Sequence, residues 1–311
     1  MAGKRELIDT GTHKRYVGAI RKAGSRRAMT SAAHWPTIDA QKPKPFPRLV
    51  RATRAIGGSP AKLLTGRRHG RHGRSAFGLL YPSMCGRVIQ AKGPIKYALV
   101  DGLNVRDSRL DNYPRRWNAC PSQDLLVIRQ NPKTGERSLD LLKWGLIPYW
   151  CEDPKGGRKP INAKSETVAR LPMFRDGYRL RRCILPVDGF YEWMATKGGK
   201  QPYAIAMKDR SPFGIAGIWE NWKSPEGEWV RTFALLTTPA NELVGRIHDR
   251  MPAILKPEDY ERWLGPEHDP SELLAPFPSE PMVMWPISPR VNSPNNDDEE
   301  LLAEIALSDR A

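Results

Sequence analysis

Between residues 124 and 238 the chain keeps returning to one pattern: a short apolar run, a turn sequence, another short apolar run. "DLLVIRQ" (124–130) and "LDLLKWGLI" (139–147) flank the turn-like "NPKTGER", and this spacing predicts a hairpin. "PYAIAM" (202–207), "FGIAGIWE" (213–220) and "RTFALLTT" (231–238) are further strand-like runs, with the turn sequence "SPEGE" between the last two. Helical patterns are fewer. In "TTPANELVGRIH" (237–248), Thr238 is placed to cap a helix and Pro239 suits its first turn. "DDEELLAEIAL" (297–307) carries acids where a helix dipole favours them. Strands joined through short turns with only occasional helices predict an α+β fold that is mainly antiparallel β-sheet. No internal repeat is visible.

Residues 1–83 do not share this pattern. They contain "RRHGRHGRS" and "QKPKPFPRL", lack a period of 2 or 3.6, and read as a disordered basic leader. The formal charge of +16 is concentrated there: 18 Lys and Arg stand against Glu6, Asp9 and Asp39, which leaves 32 basic and 31 acidic residues for the remainder. A strongly basic chain ordinarily suggests a nucleic-acid partner. Here that inference needs local clusters, because the globular part is nearly neutral. The leader reads as a transit peptide, as a nucleic-acid arm, or as the product of a start codon placed too far upstream. The domain division expected is therefore 1–83 as leader and 84–311 as catalytic domain.

Cys85, Cys120, Cys151 and Cys183 are widely spaced, with no C-x-x-C pair. No zinc site, disulfide framework or cofactor motif is expected, and reduced thiols suit a cytoplasmic protein. No apolar run approaches the roughly 18 residues of a membrane span.

Five segments interrupt apolar strands with polar or ionisable groups: "MCGR" (84–87), "WGLIPYW" (144–150), "INAKSET" (161–167), "RCILPVDGFYEW" (182–193) and "IHDRMP" (247–252). Their candidate reactive groups are Cys85, Asn162, Glu192 and His248. Each has a plain structural reading as well. Cys85 can be a small buried hydrophobe, and Asn162 a turn or cap residue. Glu192 can point to solvent by strand alternation while Tyr191 and Trp193 face the core. His248 can close a helix.

In order and spacing, "MCGR", "RWNACPSQ", "WGLIP.W", "NAKSE", "RCILP.DGFYEW", "KQPYAIA", "AGIWE", "LTTPAN" and "HDRMP" resemble the SRAP proteins (SOS-response-associated peptidase family, also called abasic-site-processing proteins). The resemblance runs from Met84 to about Asn296 and implies an SRAP-like fold. It also implies that Met-Cys-Gly-Arg is the start of the working protein. With Met84 and the leader absent, Cys85 carries a free amine beside its thiol. The amine condenses with the open aldehyde of an abasic deoxyribose to an imine, and the thiol adds to the imine carbon. The product is a thiazolidine joining protein to DNA. An internal cysteine cannot form it, because its nitrogen is locked in an amide.

By the same resemblance, Glu192 handles protons at the amine or the sugar oxygen, His248 assists ring opening and imine chemistry, and Asn162 orients the reacting groups. Arg87, Lys164 (where the family usually has arginine) and Arg250 are phosphate candidates. Trp144 and Trp193 are candidates for stacking on DNA, with core packing as the alternative for each. The implied partner is single-stranded DNA containing abasic sites, met by a monomer during DNA damage or SOS response, with AP-lyase activity as a side path. Two other readings stay open: a thiol peptidase or autopeptidase using Cys85 and His248, and a non-enzymatic nucleic-acid binder acting through the basic leader.

Overall fold

The computed structural model describes residues 85–100, 103–104, 110, 113–131, 133–154, 157 and 159–307. The leader and Met84 lie outside the described residues. In chain order the elements are β1 (Val88–Gln90), β2 (Leu103–Asn104), β3 (Arg116–Ala119), β4 (Asp124–Gln130), β5 (Arg137–Trp144), β6 (Asn162–Lys164), α1 (Ser165–Val168), α2 (Arg175–Leu180), β7 (Arg182–Val187), β8 (Gly189–Thr196), β9 (Gly199–Met207), β10 (Phe213–Lys223), β11 (Trp229–Pro239), β12 (Arg250–Pro252), β13 (Ile254–Leu255), α3 (Tyr260–Leu264) and β14 (Met282–Pro286). This is the expected α+β class, mostly antiparallel sheet with short helices.

Two sheets carry the fold. One runs β14-β9-β8-β1-β3. The other runs β12-β11-β10-β7-β4-β5-β2, with β13 on β10 and β6 on β11. A parallel pairing of β5 with β11, Phe233 opposite Trp144, closes β11-β10-β7-β4-β5 into a ring. Closure removes the exposed edges that an open sheet would leave. The predicted hairpin over 124–147 is β4 and β5. Its turn places Gly135 at φ 71°, and Asn131 N donates to Glu136 O at 2.8 Å. The left-handed conformation is what glycine supplies there.

The unbroken apolar run of β4 has a simple cause. Leu125 and Val127 face the core between the two sheets, with Leu185, Phe190, Ile205 and Phe233. Leu126 and Ile128 face a second core on the other side, with Ile184, Ile218, Tyr260 and Trp263. A strand buried on both faces has no polar side to alternate. A third, smaller cluster of Ile89, Tyr191, Ala204, Trp285 and Leu301 covers the outer face of the five-stranded sheet.

Two helix expectations are corrected. Thr238 and Pro239 are the last residues of β11, where Thr238 pairs with Met251 of β12. Beyond the strand the chain makes only a 3-10 turn, Val244–Arg246, whose first N–H, that of Val244, donates to Asn241 Oδ1 at 3.0 Å. The strand wins because Thr237, Thr238 and Pro239 pair with Pro252, Met251 and Arg250 of β12, a tertiary contact the local sequence does not announce. The acidic C-terminal segment likewise forms only a 3-10 turn, Glu299–Leu302, before Glu304 bridges Ile287. Leu301 is buried against the outer face and Trp285 Nε1 donates to Leu302 O at 2.9 Å, so tertiary contacts fix this segment.

Candidate functional site

Cys85 lies three residues before Val88, the first residue of β1, and is buried in the core between the sheets, in the cluster that includes Val88, Leu235, Val244 and Met251. Its backbone nitrogen donates to Glu192 Oε2 at 3.0 Å. Its carbonyl accepts from Asn162 Nδ2 at 3.1 Å. Groups separated by 107 and 77 positions in sequence thus converge on the two main-chain polar atoms of one cysteine.

The sheets explain the convergence. β8 pairs with β1, with Phe190 opposite Val88, so Glu192 extends beyond the start of β1 toward Cys85. On its other side β8 lies close against β9 at Gly189, where a Cβ would stand 2.6 Å from Ile205 O. In the other sheet, β6 lies parallel to β11, with Asn162 opposite Leu235. Alternation along β8 is real, but both faces are covered. Tyr191 packs with the outer cluster and Trp193 lies against it, while Glu192 points inward and is 1 % exposed. The solvent-facing reading of Glu192 is therefore corrected.

Burial pushes the Glu192 carboxyl up to about 7. The N–H groups of Trp193 and Cys85 and the charge of Lys200 pull it down, and Asp249 pushes it up. Near neutrality such a group exchanges protons readily. The Cys85 thiol is also raised well above its ordinary value, first by burial and then by the Glu192 charge, against a backbone hydrogen bond at Arg87.

His248 lies at the tip between β11 and β12, where Ala240 N donates to Asp249 O at 3.0 Å. There is no helix for it to close. Its Nδ1 stands 3.0 Å from Arg250 N and 3.2 Å from Arg250 O, so the main chain of Arg250 fixes the ring whichever nitrogen carries the proton. Asp249 Oδ1, 3.2 Å from Nδ1, is a partner for the protonated ring. The influence of Asp249 on Glu192 puts this turn within electrostatic reach of the carboxyl.

The phosphate and stacking candidates are placed unevenly. Lys164 is exposed at the end of β6. Arg250 is held by both carboxylate oxygens of Glu166, one contact being Nη2 to Oε2 at 2.9 Å, and donates to Thr237 O at 2.6 Å. Arg87 spends its donors on Asn118 Oδ1 at 2.8 Å, Val291 O at 2.6 Å and Asn292 O at 3.0 Å, clamping the 3-10 turn Pro289–Asn292. Trp193 is half-buried and donates from Nε1 to Asn292 Oδ1 at 2.8 Å. Trp144 is corrected to a core residue: it is fully buried, stacks on Phe233 at 6.1 Å and donates to Ile161 O at 3.0 Å.

Sequence reasoning missed the exposed aromatics of the same segment, Tyr149 and Trp150, at 46 % and 51 % exposure. Their signal was available, since Pro148 ends the apolar run of "WGLIPYW" just before them. It also missed Glu166, whose role depends on a contact across 84 positions. Among the described residues no group of three His, Cys, Asp or Glu could hold a metal ion, and no helix is long and apolar enough to cross a membrane.

The family described as SOS response associated peptidase (SRAP) matches residues 84–294. The "Abasic site processing protein YoqW" of Bacillus subtilis (strain 168) is 41% identical over 195 residues, covering 61% of this chain and 86% of its own length. The "Abasic site processing protein HMCES" of Xenopus tropicalis is 29% identical over 240 residues, covering 67% of this chain and 71% of that one. The solved structure of a Bacteroides thetaiotaomicron protein superposes with a TM-score of 0.64 at 28% identity, covering 71% of this chain and 100% of that one.

Proposed function

Since the chain belongs to the SOS response associated peptidase (SRAP) family, we propose that it processes abasic sites in DNA, capturing them through the amine and thiol of Cys85. The observation that carries this reading is the 3.0 Å hydrogen bond from the Cys85 nitrogen to a buried carboxyl that titrates near neutrality. In a form of the chain that begins at Cys85, that nitrogen is an amine.

Glu192 then accepts a proton from the amine and returns it where the sugar oxygen or the carbinolamine hydroxyl departs. The amine nitrogen attacks the open-chain aldehyde carbon, water leaves, and the imine forms. The thiol adds to the imine carbon, its proton passes to nitrogen, and a five-membered thiazolidine closes. Asn162 holds the Cys85 carbonyl at 3.1 Å and thereby fixes the rotation of the terminal residue. His248, fixed through Nδ1 by the main chain of Arg250, is assigned the assistance of ring opening. Proximity matters most for the thiol. Raised well above its usual value, it is a poor free thiolate, but an imine on its own α-nitrogen offers intramolecular attack at high effective concentration. Lys164 gives phosphate a point charge without the arginine fork, and the exposed Trp150 offers a stacking face to an unpaired base.

Single-stranded DNA carrying an abasic site is the proposed partner, the leader and Met84 being absent from the reacting form. Stable crosslinking during DNA damage or SOS response is the main outcome, and β-elimination from the imine, an AP-lyase reaction, is the side path. The thiol-peptidase reading is the weaker one, because a hydrolytic cysteine needs a depressed thiol pKa beside an imidazole. Burial and Glu192 push this thiol the other way.

The test is a protein whose first residue is Cys85, incubated with an oligonucleotide carrying an abasic site and run on a denaturing gel. A heat-stable shifted band is expected with the free terminus and none with an acetylated one. Equal labelling by both forms overturns the reading.

A further inference from the structure

A cavity of about 540 Å³ opens on the outer face of the five-stranded sheet, across that sheet from Cys85. The separation comes from strand parity. Val88, Phe190 and Ile205 face the core that holds Cys85, whereas Ile89, Ala206 and Trp285 belong to the outer cluster. The volume falls within the range of roughly 300–1,000 Å³ usual for small-ligand sites.

Its lining has two parts. Ile89, Ala91, Ala206, Trp285 and Leu302 make an apolar floor, with half-buried Trp117 beside it. The rim carries Lys92, Lys96, Arg115 and Arg210. Asp188 is committed to this wall already: Oδ2 accepts from Ala91 N at 2.8 Å and from the Tyr97 hydroxyl, and Oδ1 stands 3.6 Å from Lys92 Nζ. Glu299 is the other carboxylate on the rim. Lys96, Arg115 and Arg210 make no ion pair with an acid among the described residues. Arg210 is held in place, its guanidinium 4.4 Å from the centroid of the Trp285 ring, which is itself pinned by the bond from Nε1 to Leu302 O.

We propose that this cavity is a second binding site, for a phosphate-bearing nucleotide whose flat base lies on the Trp117 and Trp285 side and whose phosphate meets Lys96, Arg115 and Arg210. A bare inorganic anion would leave the apolar floor unfilled, and a purely apolar ligand would leave three cations facing it. A flat ring joined to a phosphate satisfies both parts, with indole and guanidinium planes for stacking and guanidinium forks for the phosphate. The nucleotide is either free or a residue of a strand. Both present the same chemistry to the cavity.

The experiment uses the full chain with Cys85→Ala, so that lesion chemistry plays no part and failure here leaves the crosslinking proposal untouched. Titration calorimetry compares dAMP with inorganic phosphate, on this protein and on one carrying Arg115→Ala and Arg210→Ala as well. Both arginines are exposed, and a thermal melt checks that the variant stays folded. Saturable dAMP binding is expected, weakened about tenfold or more by the double substitution, with phosphate at least about tenfold weaker than dAMP. Displacement of dAMP by a short undamaged single strand would show the site taking strand nucleotides, and no displacement a site for free ones; either supports the assignment. Binding of dAMP that the double substitution leaves unchanged, phosphate binding as tightly as dAMP, or no dAMP binding at all overturns it.

Discussion

Glu192→Gln should stabilise the fold above neutral pH and leave it nearly unchanged in acid. A carboxyl that titrates near 4.5 when exposed and at about 7 in the fold binds more protons folded than unfolded between those values. Stability therefore falls as pH rises across that window, and the cost is complete above about 7. At 1.36 kcal/mol per pH unit the full cost is about 3 kcal/mol. Glutamine has no charge to desolvate and so escapes it. The amide loses something in return, since one oxygen must serve the N–H groups of Cys85 and Trp193, at 3.0 and 3.3 Å, that two oxygens serve now. That loss is on the order of 1 kcal/mol and independent of pH. The assay is urea denaturation of both proteins at about pH 5 and about pH 8. The stability difference should move in favour of glutamine by about 2–3 kcal/mol between the two, while crosslinking by a chain beginning at Cys85 is lost. A difference that is the same at both pH values would refute the reasoning, because Glu192 would then titrate alike folded and unfolded. In a chain beginning at Cys85, the protonated amine adds a positive charge beside the carboxylate and should shrink the pH-dependent gain.

Two further outcomes rest on close contacts. Glu166→Gln removes the anion that occupies Arg250, whose pairing holds the Glu166 carboxyl below its usual range. Affinity for undamaged single-stranded DNA at low salt, read by fluorescence anisotropy, should rise roughly two- to fivefold; a fall would mean that Glu166 serves to hold Arg250 in its working position. Gly189→Ala should destabilise the domain by more than about 2 kcal/mol, because its methyl would sit 2.6 Å from the Ile205 carbonyl in a paired strand that cannot give way. A thermal melt within about 2 °C of the parent would contradict that packing.

The strands were legible because their cause is local. β4, β10 and β11 are apolar runs bounded by turn residues, and burial on both faces leaves such runs unbroken. The helix expected over 237–248 was not, because Pro239 suits the end of a strand beside β12 as well as a helix start, and only the pairing of Thr238 with Met251 decides between them. The candidate reactive groups could be picked out by type, but not their orientation. Alternation along β8 gives the side of Glu192 relative to Tyr191; which side is deeper depends on β1 and β6, far away in sequence. Trp144 and Trp150 illustrate the same limit: six residues apart in one segment, one is fully buried and the other half exposed. Arg87 and Arg250 look alike in sequence as phosphate ligands, yet both are engaged by partners that only the fold brings up, Asn118 and Glu166.

The pairing of Glu192 with the Cys85 nitrogen is hard to account for by stability alone. A main-chain N–H needs only a carbonyl, which the neighbouring strand supplies throughout the sheet without burying a charge. Here the acceptor is a carboxyl 1 % exposed, opposed by desolvation and by Asp249 and favoured by the charge of Lys200. Such a group lowers stability across the neutral range, and a site that moves a proton gives it a use. An amide nitrogen has none to exchange near neutrality, whereas an α-amine, with a reference pKa near 8, does. Under the proposed function the placement of the carboxyl has a chemical use: in a chain beginning at Cys85 the nitrogen beside it is an amine, and that is the condition under which Cys85 can close a ring on an aldehyde.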